Sequence, residues 1–181
     1  KTILVTSCYP NEGKSDIAMQ LAQEIGKAGK SVLLIDADLR KSAYIVRYKV
    51  KRSVKGLSEF LSGQASESEI KYTTNFQNVD IIFSGPSAPN PSELLEDPAF
   101  GELMKKVRME YDFVLLDTPP VMTVIDAAVI AKESDGAVLI VESGRVSYKA
   151  AQKALEQIRK SDCKVLGAVL NKVDIKRDKY Y

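Results

Sequence analysis

The chain has 181 residues, 45% hydrophobic and 28% charged, with a net charge of +2, the make-up of an ordinary globular domain able to bury a substantial core. No apolar run approaches the roughly 18 residues needed to span a bilayer, and no signal-peptide pattern is present. Histidine is absent, which excludes Ser-His-Asp and Cys-His catalysis and every His-containing zinc site. Acid–base work must fall to carboxylates, Lys or Tyr.

The chain opens at Lys1 directly in a strand-like run, Lys1–Thr6, and reads as a fragment or a trimmed chain. Amphipathic spacing predicts a helix over Lys14–Lys27, with Gly29 as its C-terminal stop, and a strand over Ser31–Ile35. Residues 39–58 follow, with Arg40, Lys41, Arg47, Lys49, Lys51, Arg52 and Lys55 and no acid among them, so this block carries +7 and the rest of the chain −5 (2 minus 7). Such a run is either a solvated face or a docking surface for phosphate, acidic protein or lipid headgroups. Tyr44 and Tyr48 interleave with it, but no nucleic-acid module accompanies them, and no nucleic-acid partner is expected.

Further strands are predicted over Val79–Phe83, Phe113–Leu116, Ala137–Val141 and Lys164–Leu170, and helices over Ser92–Glu110, Ile125–Lys132 and Tyr148–Ser161. The proline-rich Gly85–Pro91 must be a loop. Several strands are continuous Val/Leu/Ile runs, as parallel strands covered on both faces require. The alternation predicts one α/β domain over residues 1–181, doubly wound, with a mostly parallel sheet and helices on both faces, and a ligand beyond the carboxyl ends of the strands. Residues 175–181 read as a flexible tail, and Cys8 and Cys163, far apart without metal-ligand spacing, suit a reducing cytoplasm.

The chemistry concentrates at strand ends. Ile3–Thr6 runs into Ser7-Cys8-Tyr9-Pro10-Asn11-Glu12-Gly13-Lys14-Ser15 and then into a helix. A loop of this kind turns backbone N–H groups and a helix N-terminus onto phosphate oxygens. In it Gly13 permits close approach, Lys14 reaches the β- and γ-phosphates, and the Ser15 hydroxyl ligates Mg²⁺. Cys8 stands where the usual pattern has its first glycine. Asp36 and Asp38 end the second strand and Asp117 ends a later one, so three carboxylates converge on the loop, where Mg²⁺ accepts few protein ligands plus phosphate oxygens.

Ile35-Asp36-Ala37-Asp38-Leu39-Arg40 and Leu115-Leu116-Asp117-Thr118-Pro119-Pro120, with Asn11-Glu12-Gly13-Lys14-Ser15, resemble the bacterial tyrosine kinases of capsule and exopolysaccharide synthesis. The likeness extends through Gly56–Gly63, Pro89–Leu95, Val124–Ala128 and Leu166–Lys172, nearly the whole chain. It implies a P-loop fold of the deviant Walker A type shared with chromosome-partitioning ATPases, and transfer of the γ-phosphate of ATP to tyrosines of the protein's own C-terminal tail, in trans. Asp36 and Asp117 would then hold the Mg²⁺ shell with Ser15, and Asp38 would orient or deprotonate the phenol. Lys14 and Arg40 would stabilise charge on the transferring group. Pro10, Asn11, Glu12, Gly13, Lys14, Ser15 and Asp16 would contact the nucleotide, with Asn171 at adenine, and Tyr180 and Tyr181 would be phosphoacceptors. The implied partner is the cytoplasmic tail of a membrane polysaccharide co-polymerase, separate or fused upstream, which would bring a cytoplasmic domain to the inner face of the membrane. Self-association would run through the tail or through an oligomerisation helix ahead of the first strand.

Asp16 departs from the family, which has Thr or Ser at that place: a carboxylate suits a helix N-terminus but repels a nucleotide phosphate. Three rivals stand beside the kinase. A partitioning-type ATPase would carry a second lysine early in the loop, where this chain has Ser7–Glu12. A GTPase is suggested by Asn171-Lys172-Val173-Asp174 but lacks Asp-x-x-Gly after Asp117. A nucleotide-gated scaffold of weak activity is suggested by Asp16.

Overall fold

A computed structural model of the chain describes residues 1–42, 44–48, 50, 54–124 and 126–174. Its centre is a seven-stranded sheet in the order β3-β4-β2-β5-β1-β6-β7. The strands are β1 (Thr2–Ser7), β2 (Val32–Asp36), β3 (Lys71–Thr73), β4 (Val79–Ile82), β5 (Phe113–Asp117), β6 (Gly136–Glu142) and β7 (Val165–Asn171). All neighbours pair in parallel except β3 against β4. The predicted parallel, doubly wound sheet is the observed one. The chain lays β2, β4 and β3 outward on one side of β1, returns with β5 between β1 and β2, and then crosses to β6 and β7 on the other side. The carboxyl ends of β1, β5 and β2 therefore lie side by side, and a crevice opens where the direction of winding changes.

The helices are α1 (Lys14–Lys27), α2 (Tyr44–Arg47), α3 (Leu57–Leu61), α4 (Glu67–Ile70), α5 (Pro91–Glu96), α6 (Pro98–Glu110), α7 (Asp126–Ala131) and α8 (Tyr148–Lys160). Along β2 the side chains alternate between two cores. Val32 and Leu34 join Ala18, Met19 and Ala22 of α1 and Tyr44 on one face. Leu33 and Ile35 join residues of α3, α5, α6, α7 and α8 on the other, among them Leu57, Leu95, Phe100, Leu103, Ile130 and Ile158. Burial on both faces is why these strands read as unbroken apolar runs rather than alternating ones.

Several features differ from the sequence expectation, the one-turn α2 among them. The helix predicted over Ser92–Glu110 is two helices broken at Asp97, because Pro98 disfavours helical geometry in the residue before it and Asp97 is extended (φ −62°, ψ 138°). The Asp97 carboxylate then caps α6, accepting from the Ala99 N–H at 2.8 Å. The short antiparallel β3 was not predicted, since three residues carry no readable period. The short α3 and α4 were also missed. Each is held by a glutamate reaching back to the amide at its start, Glu59 Oε2 to Gly56 N–H at 2.6 Å and Glu69 Oε2 to Ser66 N–H at 2.8 Å. Pro91, predicted in the loop, is the first residue of α5.

The start of α3 crosses the chain leaving β4. Leu57 N–H donates to Phe83 O at 2.7 Å and Ser58 N–H to Ser84 O at 2.9 Å, and a Cβ on Gly56 would collide with the backbone of Gly85. Backbone has nowhere to yield here. Gly56→Ala should cost about 2 kcal/mol, the scale of an overpacked core, read as a lowered urea midpoint at unchanged slope; a midpoint equal to wild type would contradict this packing.

Candidate active site

Strand register sets the acidic centre. Asp36 and Asp117 are direct neighbours across β2 and β5, the last residues of their strands, and both are fully buried. Following the alternation, they point to the face covered by α1. Gly13 begins that helix in the left-handed region (φ 91°), and Lys14 and Ser15 follow at once.

The Lys14 ammonium lies among the carboxylates: 3.2 Å from Asp117 Oδ1, 3.7 Å from Asp38 Oδ2 and 3.3 Å from Ser15 Oγ. Burial alone would lower the Lys14 pKa, but the charges of Asp117, Asp38 and Asp36 outweigh it and hold the amine protonated. Asp36 accepts the Ser42 hydroxyl at 2.7 Å. Asp38 lies two residues past the end of β2 and accepts the amides of Arg40 at 3.3 Å and Lys41 at 3.0 Å. Burial raises its pKa, with Lys14 opposing.

A cleft of about 270 Å³ opens above this centre. Pro10, Asn11, Gly13, Lys14, Ser15 and Asp16 form one wall, Asp38 and Arg40 to Ser42 another, and Pro119, Pro120, Thr123 and Val124 the third. Of the predicted residues, Glu12, Asp36, Asp117 and Asn171 do not line it. Asp36 and Asp117 lie beneath its floor. Glu12 is turned inward, its Oε2 accepting the Cys8 and Tyr9 amides at 2.8 and 3.2 Å, so its side chain braces the loop from within. Asn171 donates from its amide nitrogen to Glu12 O at 2.9 Å. Tyr180 and Tyr181 lie outside the described residues.

Sequence reading missed two supports. Asp126, fully buried, takes Arg40 in a bidentate pair (Nε 2.8 Å, Nη2 3.2 Å) and accepts the Ser92 hydroxyl at 2.6 Å. Burial raises its pKa, but the hydrogen bonds from Arg40 and Ser92 hold the carboxyl below the usual range. Its only sequence signal was membership of the Val124–Ala128 motif. Tyr44, read as one of two aromatics interleaved with surface basics, is instead buried, stacked at 6.2 Å on Tyr48, and donates to Ser15 O at 3.1 Å. The basic block is also partly matched by acids, Arg40 by Asp126 and Lys55 by Glu69 at 2.6 Å, while Lys49, Lys51 and Arg52 lie outside the described residues.

The donor set suits a hard cation. It is all oxygen, and Asp117 Oδ2 is buried without a hydrogen-bond partner. Among the described residues no cluster of acids and cysteines is arranged to hold an ion unaided, so a divalent cation here would share its shell with phosphate and water.

Two adjacent buried carboxylates have a measurable consequence. Burial first, and the Asp117 charge second, push Asp36 up to about 7, with Ser42 and Lys14 pulling it back. An unfolded aspartate titrates near about 3.9, so between these values the folded chain holds a proton that the unfolded chain has released. Stability must therefore fall as pH rises through that window. In nucleotide-free protein the denaturation midpoint should decline from about pH 4 to about pH 7, and Asp36→Asn should flatten the decline; an equally steep slope in the variant would refute the assignment.

Residues 1–170 match the family model described as an AAA domain. The chain is 38% identical over 180 residues to tyrosine-protein kinase CpsD of Streptococcus pneumoniae, covering 99% of this chain and 79% of that protein. The kinase domain of the Escherichia coli tyrosine kinase ETK superposes with a TM-score of 0.91 at 31% identity, over 95% of this chain and 67% of that one. MinD of Pyrococcus horikoshii, solved with Mg-ADP, shares the fold alone, with a TM-score of 0.81 at 24% identity over 96% of this chain and 71% of that one. Sequence likeness and superposition converge on one conclusion: the chain belongs to the bacterial tyrosine-protein kinase family.

Proposed function

We propose that this domain transfers the γ-phosphate of ATP to tyrosine hydroxyls, with Tyr180 and Tyr181 among the acceptors, and that Mg²⁺ accompanies the nucleotide. The observation that carries the proposal is the convergence of Asp36, Asp38 and Asp117 on Lys14 at the start of α1. Phosphoryl transfer is mostly positioning and charge stabilisation, and this centre offers both. Lys14 is the cation available to leave the carboxylates for the β- and γ-phosphates. A bound divalent ion supplies the positive charge that offsets the phosphates and the carboxylates together.

Of the three aspartates at Lys14, Asp38 reaches the cleft while Asp36 and Asp117 stay beneath it. It is therefore the group assigned to orient the incoming phenol and accept its proton, and burial makes it a stronger base than a free aspartate. Asp36, Asp117 and Ser15 are assigned to the ion. Arg40, fixed at the rim by Asp126, is assigned to the transferring phosphate. Pro10, Asn11, Gly13 and Asp16 wall the phosphate site, and Glu12 serves it through its backbone.

No described helix is long and apolar enough to cross a membrane. The proposed setting is cytoplasmic, with recruitment to the membrane by a polysaccharide co-polymerase tail that the basic residues of 40–55 would meet. Asp16, in the wall of the cleft, favours one second reading, a nucleotide-gated scaffold with weak transfer.

Incubation with Mg²⁺-ATP and the activating tail, followed by phosphotyrosine detection, decides between the two. Lys14→Met should lower the signal by about a hundredfold or more, the scale seen when a charge-stabilising donor is lost; robust signal in the variant would exclude the kinase assignment. Asp16→Thr, which removes a charge facing phosphate, should tighten ATP binding about fivefold in calorimetry, a change of roughly 1 kcal/mol. Unchanged or weaker binding would show that Asp16 is not a repulsive element.

A further inference from the structure

The phosphate loop is gripped from outside by the end of β7. Consecutive loop carbonyls are taken by consecutive residues: Lys172 Nζ donates to Asn11 O at 2.7 Å, and Asn171 Nδ2 donates to Glu12 O at 2.9 Å. Lys172 is itself held by Glu142 at 3.1 Å, at the end of β6, and the Asn171 carbonyl accepts from Ser143 N–H at 2.9 Å. The grip falls where the loop most needs it. Asn11 (φ 68°) and Gly13 (φ 91°) both occupy the left-handed region, uncommon for the first. A Cβ on Gly13 would run into the Asn171 carboxamide, so the glycine also makes room for the clamp.

Peptide planarity converts this grip into ligand chemistry. In a trans peptide the carbonyl of one residue and the N–H of the next point in opposite directions. Drawing the Asn11 and Glu12 carbonyls toward β7 therefore turns the Glu12 and Gly13 N–H groups away from β7. The phosphate wall of the cleft, which Asn11 and Gly13 line, is built from this same stretch. Backbone amides fixed in this way form an anion-binding nest. Cys8 stands where the usual loop has a glycine, and the clamp together with the internal Glu12 brace supplies rigidity from side chains.

We infer that Asn171 and Lys172 are positioning residues for the phosphate loop, holding the Glu12 and Gly13 amides ready for the polyphosphate of the nucleotide. The inference rests on the nucleotide-binding reading of the cleft. It assigns Asn171 to the loop backbone, where the family resemblance had suggested adenine. The two assignments part over a ligand that has no base.

Affinities of ATP, GTP and inorganic tripolyphosphate should be measured for the wild type, Asn171→Ala, Lys172→Met and Lys172→Arg, with steady-state KM and kcat for ATP alongside. Asn171→Ala and Lys172→Met should each weaken ATP, GTP and tripolyphosphate by a similar factor, about fivefold to tenfold, the scale of one lost hydrogen bond. KM should rise by that factor with kcat changed less, and Lys172→Arg, which keeps a donor, should recover most of the loss. Melting temperatures should stay within about 3 °C of wild type, because an exposed ion pair such as Lys172–Glu142 adds little stability. Two results would overturn the inference: tripolyphosphate binding unchanged in both variants, or a loss confined to ATP in Asn171→Ala, which would return that residue to base recognition. Failure of the wild type to bind any of the three ligands would instead remove the nucleotide reading on which it rests.

Discussion

The Lys14 ammonium, set between Asp117 at 3.2 Å and Asp38 at 3.7 Å with Asp36 behind them, is the interaction on which the site depends. Two buried carboxylates on adjacent strands repel one another and are poorly solvated, and only a cation held close makes their ionisation tolerable. That cation comes from the first turn of α1, so the helix must start at the carboxyl edge of the sheet. The strands must also be in the register that sets Asp36 beside Asp117. The charge balance of the centre and the placement of α1 therefore share an origin in the strand register.

The surroundings keep that centre in place from several directions. Tyr44 pins the Ser15 carbonyl from below. Glu12 ties the loop to its own start at Cys8 and Tyr9, and Asn171 and Lys172 hold it from the far strand. On the opposite wall, buried Asp126 joins Arg40 to Ser92 and so links the loop after β2 with α5 and α7. Each support is a hydrogen bond to a backbone carbonyl or amide or to a charged group, the kind that restricts geometry more than it adds net stability. A phosphate site that works by pre-arranged dipoles needs this restriction more than it needs affinity from any one contact.

Much of this was legible in the residue order. Continuous apolar runs ending in Asp36 and Asp117 identified parallel strands buried on both faces, and Gly13-Lys14-Ser15 marked the start of α1 and one wall of the cleft. What escaped was short or directional. β3 has three residues and no period to detect. The break at Asp97 is a pre-proline effect within a pattern otherwise helical on both sides. The direction of the Glu12 side chain, toward Cys8 and Tyr9 rather than the ligand, depends on the fold of a loop whose residues are all compatible with either. Tyr44 looked like a surface aromatic because it lies within a stretch rich in basic residues, yet its ring belongs to the core under α1.

By itself, then, the sequence determined the layer architecture, the loop that leads into α1 and the identity of the acidic residues at the strand ends, because hydrophobic period and local motifs are properties of neighbours along the chain. The tertiary structure alone decided which carboxylates meet Lys14, which of them reach the cleft, and that Asp126 holds Arg40 while Asn171 and Lys172 hold the loop. The Asn171 bond to Glu12 spans 159 positions and the Asp126 bond to Arg40 spans 86. Contacts at such separations arise only from strand order and register, which no local pattern encodes.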